Sequence, residues 1–96
     1  MKVVIKPSKA KGKKFTAIFS KDGKKIKTTQ FGDSRYQDYT LSKDKKQRSK
    51  YRERHKKDLE KGDYMSAGHL SYYILWGAYT DRNKNITAYR RRFKLK

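Results

Sequence analysis

The first third of the chain alternates apolar and polar residues with the two-residue period of a β-strand. In the run KFTAIFS, Phe15, Ala17 and Phe19 fall on one face and the intervening residues on the other. The pair Asp22-Gly23 follows where a hairpin turn prefers such residues, because both tolerate positive φ. The run KKIKTTQF then returns as a second strand, and the apolar run within residues 1–6 can add a third. The pattern predicts a small antiparallel sheet.

The loop GDSRYQDYT, residues 32–40, links this sheet to the rest of the chain. We expect its two tyrosines, Tyr36 and Tyr39, to pack back onto the core. At its end, Thr40 or Ser42 is suited to cap a helix, because a short hydroxyl side chain accepts hydrogen bonds from the free N–H groups of a first turn.

A strongly basic segment, Lys43–Leu59, has helical spacing. Tyr51, His55 and Leu59 recur every four residues, so on a helix they form one narrow seam. Between residues 43 and 57 the segment also carries nine Lys and Arg against two acids. Like charges four residues apart cost up to about 0.5 kcal/mol per pair, so an isolated helix would be frustrated. We expect the seam to dock on the core and the cationic face to meet an anion.

Two further helices are predicted after the basic one. The run MSAGHLSYYILWGAY predicts a helix at Ser66–Trp76, capped by Ser66 and ended by Gly77, and it is the most apolar segment of the chain. The run NITAYRRRFKLK predicts a last helix with Asn85 as its cap. The apolar face of this helix is formed by Ile86, Tyr89 and Phe93. The predicted fold is α+β: a small antiparallel sheet of two or three strands followed by about three α-helices, in one basic domain, 1–96, with frayed basic termini.

The charge of the chain indicates the class of its partner. The 28 Lys and Arg outnumber the 9 Asp and Glu and give a net charge of +19. A field of this sign collects polyanions, of which nucleic acid is the commonest. Lysine makes up 20 of the 28 basic residues and contacts phosphate as a point charge rather than reading base edges. We therefore predict sequence-independent binding of nucleic acid, DNA before RNA. The candidate contacts are Lys46, Arg48, Lys50, Arg52, Arg54, Lys56, Lys57, Arg90, Arg91, Arg92, Lys25 and Lys27.

Catalytic and metal chemistry have little support in the sequence. Cysteine is absent, which removes thiolate nucleophiles, disulfides and most zinc sites and favours an intracellular compartment. His55 and His69 lie 14 residues apart without a nuclease-type carboxylate motif, and packing explains both better. We expect no enzyme activity, no cofactor and no metal. We also do not expect membrane binding, because the basic helix lacks a bulky apolar face.

The aromatic residues, 14% of the chain, are needed mainly for the core because aliphatic residues are few. Two tyrosines fall in expected loops, Tyr36 and Tyr64. These two remain open as platforms on which unpaired bases could stack.

Several motifs together resemble a known family. They are FTAIFSKDGKKIKTTQFGD, DYTLSKDKKQRSKYRERHKK, MSAGHLSYYILWG and ITAYRRRFKL. Over about Phe15 to Leu95 the chain resembles small basic proteins of unknown function encoded by nucleocytoplasmic large DNA viruses, the giant viruses of algae and amoebae. The resemblance supplies no catalytic residues and implies a setting: genome packaging or organisation in a virion, a cytoplasmic viral factory or the nucleus, without secretion. A non-enzymatic virion protein that links the genome to a capsid protein or inner membrane is the alternative, and an RNA-binding protein is the third.

Overall fold

The computed structural model describes all 96 residues, Met1–Lys96. Its N-terminal part is an antiparallel meander of β1 (Lys2–Pro7), β2 (Lys13–Lys21) and β3 (Lys24–Asp33), in the order β1-β2-β3. The predicted hairpin is confirmed, and the N-terminal apolar run adds the third strand.

One face of this sheet carries apolar residues from all three strands. Val3 lies opposite Phe19, and Phe15 lies opposite Phe31, with Ala17 between them on β2. Residues directly opposite one another share a face of the sheet, and all of these except Phe15 are fully buried. The alternation in the sequence therefore identifies the core face correctly.

β3 contains a bulge near the hairpin turn. Phe19 pairs with Lys27, whereas the next residue of β2 pairs with Lys25, so Ile26 has no partner. Ile26 is exposed as a result. Lys27 then lies at the rim of the core face, where its Nζ is 3.5 Å from the Asp63 carboxylate.

Four helices follow the sheet: α1 (Tyr39–Ser42), α2 (Lys45–His55), α3 (Ala67–Leu70) and α4 (Arg82–Arg92). A 3-10 turn, Lys56–Leu59, extends α2, and a π-helical turn, Ser71–Leu75, extends α3. The fold is α+β as predicted, with the short α1 as one helix more than expected. None of the helices combines the length and the apolar character needed to cross a lipid bilayer.

The basic helix begins at an aspartate rather than at a hydroxyl residue. The Asp44 carboxylate accepts hydrogen bonds from two N–H groups of the first turn of α2, at 2.9 and 3.2 Å. The predicted cap, Thr40 or Ser42, is wrong because both residues lie inside the separate helix α1. Asp38 caps α1, which ends where Lys43 adopts the left-handed conformation.

The remaining helix starts include one confirmed cap and one correction. Ser66 caps α3 as predicted, whereas Asp81, not Asn85, caps α4. Asn85 is buried inside α4, where its Nδ2 donates to the carbonyls of Ile74 (2.9 Å) and Tyr79 (2.8 Å). Its Oδ1 accepts from the Tyr79 N–H at 3.0 Å. This amide therefore ties α4 to the chain that leaves α3.

The core lies between the apolar face of the sheet and the helices. The segment of α3 and its π-helical extension is central, as predicted, with Leu70, Ile74 and Trp76 buried. Of the two loop tyrosines, Tyr39 joins this core, whereas Tyr36 is 65% exposed. The prediction that Tyr36 packs inward is therefore wrong.

The two chain ends, expected to be frayed, are hydrogen-bonded to each other. The Lys96 carbonyl accepts from the Val3 N–H, and the Lys96 N–H donates to the Met1 carbonyl, both at 3.0 Å. Leu95 is buried beside this pairing. The C-terminal residues thus occupy the outer edge of β1, which would otherwise present unpaired backbone groups.

The stability of this core should depend on the protonation of His69. Its side chain is buried against Tyr73 and Phe93, and burial lowers the pKa of His69. As the pH falls, the unfolded chain binds the proton first, so the free energy of unfolding should decrease below about pH 6.5, by at most about 1.4 kcal/mol per pH unit. Thermal unfolding followed by circular dichroism across the histidine range measures this decrease.

Replacement of each histidine in turn controls that experiment. His69→Gln should flatten the dependence, and His55→Gln should keep it because His69 remains in place. Carboxylates titrate below this pH window. A dependence that survives in His69→Gln would show that another group causes it.

Candidate nucleic-acid interface

α2 docks on the core through a stack of three rings. The Tyr51 ring lies between His55, at 4.2 Å between centroids, and Trp76, at 4.3 Å with 9° between the planes. Burial raises the pKa of Tyr51 to about 12. Of the three predicted seam residues, Tyr51 packs against the core as expected. His55 stacks on Tyr51 of the same helix, and Leu59 lies in the 3-10 turn and outside the buried core.

Two of the arginines predicted to contact nucleic acid lie on this inner side of α2. Arg48 Nε donates to the Gly77 carbonyl at 2.7 Å, and an Arg52 guanidinium N–H donates to the Trp76 carbonyl at 2.7 Å. Carbonyls at a helix end lack partners within the helix. The two guanidinium groups therefore close the end of the α3 extension and hold α2 against it.

The same two arginines lie over tyrosine rings. The guanidinium carbon of Arg48 is 5.5 Å from the centroid of Tyr39, and that of Arg52 is 4.1 Å from the centroid of Tyr72. Partial burial lowers the pKa of Arg52, although an arginine remains charged in proteins. Cation–π contacts of this kind contribute about 0.5–2 kcal/mol, so both side chains serve the fold.

The predicted cationic cluster on the last helix is also divided. Arg90 is half-buried: one guanidinium N–H donates to the Val3 carbonyl at 3.0 Å, and its Nε is buried without a partner. Arg91 and Arg92 are exposed. The guanidinium of Arg92 lies 4.8 Å from the centroid of Tyr73.

The outer face of α2 carries a row of cations. Lys46, Lys50 and Arg54 are exposed and spaced four residues apart, so neighbours in the row are separated by about 6 Å along the helix axis. Lys56 and Lys57 continue the cationic surface into the 3-10 turn. The exposed members of the predicted set are Lys25, Lys27, Lys46, Lys50, Arg54, Lys56, Lys57, Arg91 and Arg92.

More of the acidic residues accept hydrogen bonds from the backbone than pair with lysine. Five aspartates accept hydrogen bonds from N–H groups at helix starts and turns: Asp33, Asp38, Asp44, Asp63 and Asp81. Three of the 28 Lys and Arg side chains pair with a carboxylate: Lys14, Lys27 and Arg35. The carboxylates therefore leave most of the cationic surface without a counter-charge.

A groove of about 510 Å³ lies between the β3–α1 loop and α2. On the loop side, Arg35 donates two hydrogen bonds to the Asp33 carboxylate, at 2.8 and 3.1 Å, and these bonds lower the pKa of Asp33 to about 2. The residues that give the groove its aromatic and cationic character are Tyr36, Tyr51, His55, Trp76, Lys50 and Arg54.

The two tyrosines considered for base stacking differ in their surroundings. Tyr64 packs between Phe93, at 5.2 Å between centroids, and Phe19, at 6.1 Å, so it belongs to the core. Tyr36 is exposed and lines the groove. In the sequence, the one sign of this was the place of Tyr36 in a predominantly polar loop, residues 32–40.

The fold and this surface define a small α+β domain with a densely cationic exterior. The chain matches one family model over residues 3–55, which span the sheet, α1 and α2. The protein belongs to that family, a family of unknown function (DUF5754). No curated protein and no solved structure matches the chain.

Proposed function

We propose that this protein binds nucleic acid, double-stranded DNA in particular, without reading its sequence, by neutralising phosphates with its exposed cations. The strongest support is the net charge of +19 together with the small number of ion pairs. Carboxylates pair with three of the 28 Lys and Arg side chains. Such uncompensated charge makes a compact chain repel itself. A bound polyanion would relieve that repulsion.

The division between internal and exposed cations supports sequence-independent contact. Arg48, Arg52 and Arg90 are engaged with backbone carbonyls of the protein, and arginine is the side chain best suited to reading guanine edges. The exposed set is mostly lysine, which suits phosphate contact. Phosphate contacts release condensed counterions and so make the affinity strongly dependent on salt.

The resemblance to small basic proteins of nucleocytoplasmic large DNA viruses extends this proposal to a setting. In a virion or a viral factory, such a protein would neutralise or organise a large genome. A protein that bridges the genome to a capsid would keep its protein partner at salt concentrations that release DNA. An RNA-binding protein would prefer RNA to DNA in competition.

Removal of the row on α2 should weaken the salt dependence of DNA binding. We expect wild type to bind a random-sequence duplex with log K falling linearly with log salt concentration. Lys46→Gln/Lys50→Gln/Arg54→Gln should make the slope shallower by up to about 2.7, since each phosphate contact contributes about 0.9. Fluorescence anisotropy of a labelled duplex across a salt series measures both slopes, with RNA and single-stranded DNA as competitors.

The matched control removes three lysines near the N-terminus instead. Lys2→Gln/Lys6→Gln/Lys9→Gln deletes the same charge at exposed positions on β1 and the loop after it. Its slope should stay near that of wild type. Equal losses in the two triple variants would contradict a defined interface on α2, and an affinity independent of salt would contradict the proposed function.

A further inference from the structure

The groove between the β3–α1 loop and α2 has a composition that contact with duplex phosphates does not require. Its volume of about 510 Å³ falls within the range of about 300–1,000 Å³ typical of small-ligand sites. Aromatic side chains from both sides line it, Tyr36 from the loop and His55 from α2. Aromatic side chains are not needed to bind a phosphate backbone, which is contacted by cations and N–H donors.

The aromatic walls offer surfaces for stacking. Tyr36 is 65% exposed, the highest exposed fraction among the large hydrophobic side chains that stand out of the core. His55 ends the stack formed with Tyr51 and Trp76, and its half-buried ring lines the groove. Flat rings stack on nucleobases regardless of the base, because every base has a π-face.

The charges of the groove favour a phosphate beside those rings. Its two carboxylates are already compensated: Asp38 binds Lys14 at 2.7 Å, and Asp33 binds Arg35. Lys50 and Arg54, which also line the groove, have no carboxylate partner. The groove therefore presents the exposed Tyr36 ring next to two uncompensated cations, which is the chemistry that recognises a nucleotide.

We propose that this groove binds an unpaired nucleotide of a nucleic-acid strand, with the base stacked on Tyr36 and its phosphate on Lys50 and Arg54. This deepens the proposed function and rests on it, because the strand is brought to the groove by the same cationic surface. The protein would then hold single-stranded stretches, such as frayed or melted ends, more tightly than their phosphates alone explain.

The test compares two ligands that share a backbone and differ in their bases. A thymidine decamer should bind wild type about 5- to 150-fold more tightly than an abasic decamer at the same salt concentration, the range expected when stacking of one base is gained or lost. Tyr36→Ala should bring this ratio down by at least about 5-fold. Tyr36→Phe should keep it, because the ring remains. Anisotropy measures the affinities, and Trp76, the single tryptophan, reports occupancy of the groove by fluorescence.

Tyr79→Ala is the matched control, since Tyr79 is 48% exposed and lies outside the groove. It should keep the wild-type ratio, and circular dichroism should show that both alanine variants fold. Equal affinity of wild type for the two decamers, or a ratio unchanged in Tyr36→Ala, would overturn the proposal. Duplex binding with a steep salt slope in that case would leave the proposed function standing. Failure to bind the duplex and both decamers would overturn both.

Discussion

Gly77→Ala is expected to lower the free energy of unfolding by about 3 kcal/mol, near the upper end of the usual cost of overpacking a core. A Cβ at this buried position would lie 2.2 Å from the Tyr73 carbonyl oxygen and 2.7 Å from Asn85 Oδ1. The nearer obstacle is backbone, so the π-helical turn itself must move. Urea unfolding followed by Trp76 fluorescence measures the change, which is large for a domain of marginal stability.

The effect should extend from the core to the surface that we propose for binding. Gly77 supplies the carbonyl that accepts from Arg48, and Trp76 supplies the one that accepts from Arg52. Movement of this turn would therefore also weaken the hydrogen bonds that hold α2 against the core. Gly68→Ala is the control within α3, because its Cβ would meet the side-chain carbon of Asp58 at 3.2 Å rather than a backbone atom. The free energy of unfolding of Gly68→Ala should stay within about 1 kcal/mol of the wild-type value. If Gly77→Ala cost no more than Gly68→Ala, the close approach at Gly77 would be contradicted.

The sheet could be predicted because its signals are local. Alternation of apolar residues and the Asp22-Gly23 turn depend on neighbours in sequence, and the structure confirms both. The caps of α2 and α4 were predicted less well than the sheet. Several side chains near each start can cap a helix, and tertiary contacts choose among them: Asn85 is drawn inward by three backbone groups of the chain after α3, which leaves Asp81 to cap.

The candidate site shows the same limit. The exposure of the lysines follows from composition, because a core this small has no room for so many charges. The roles of Arg48 and Arg52 depend on carbonyls 29 and 24 residues away, which no periodicity reveals. A planar guanidinium can donate to a carbonyl and lie over a ring at once. The one sign of these inward roles in the sequence was the presence of arginine among the lysines of a helix that carries an apolar seam.

Arg48→Met/Arg52→Met is expected to lower the free energy of unfolding by about 3 kcal/mol. Each side chain loses a charge-assisted hydrogen bond of about 1.5–3 kcal/mol, and two bonds to one turn are not additive. Methionine keeps the length and much of the packing of the stem. Urea unfolding measures the loss, and the salt slope of duplex binding, taken where the variant is folded, should match that of wild type.

Lys46→Met/Lys50→Met removes the same charge from the outer face of the same helix, so it separates the two roles of the basic residues. Its stability should stay within about 1 kcal/mol of wild type, since exposed charges contribute little and like charges four residues apart repel. Its salt slope should become shallower by up to about 1.8. If instead the arginine pair changed the slope and the lysine pair changed the stability, the inner and outer faces assigned to α2 would be reversed. The expected pattern would mean that α2 is held by its arginines so that its lysines can meet phosphate.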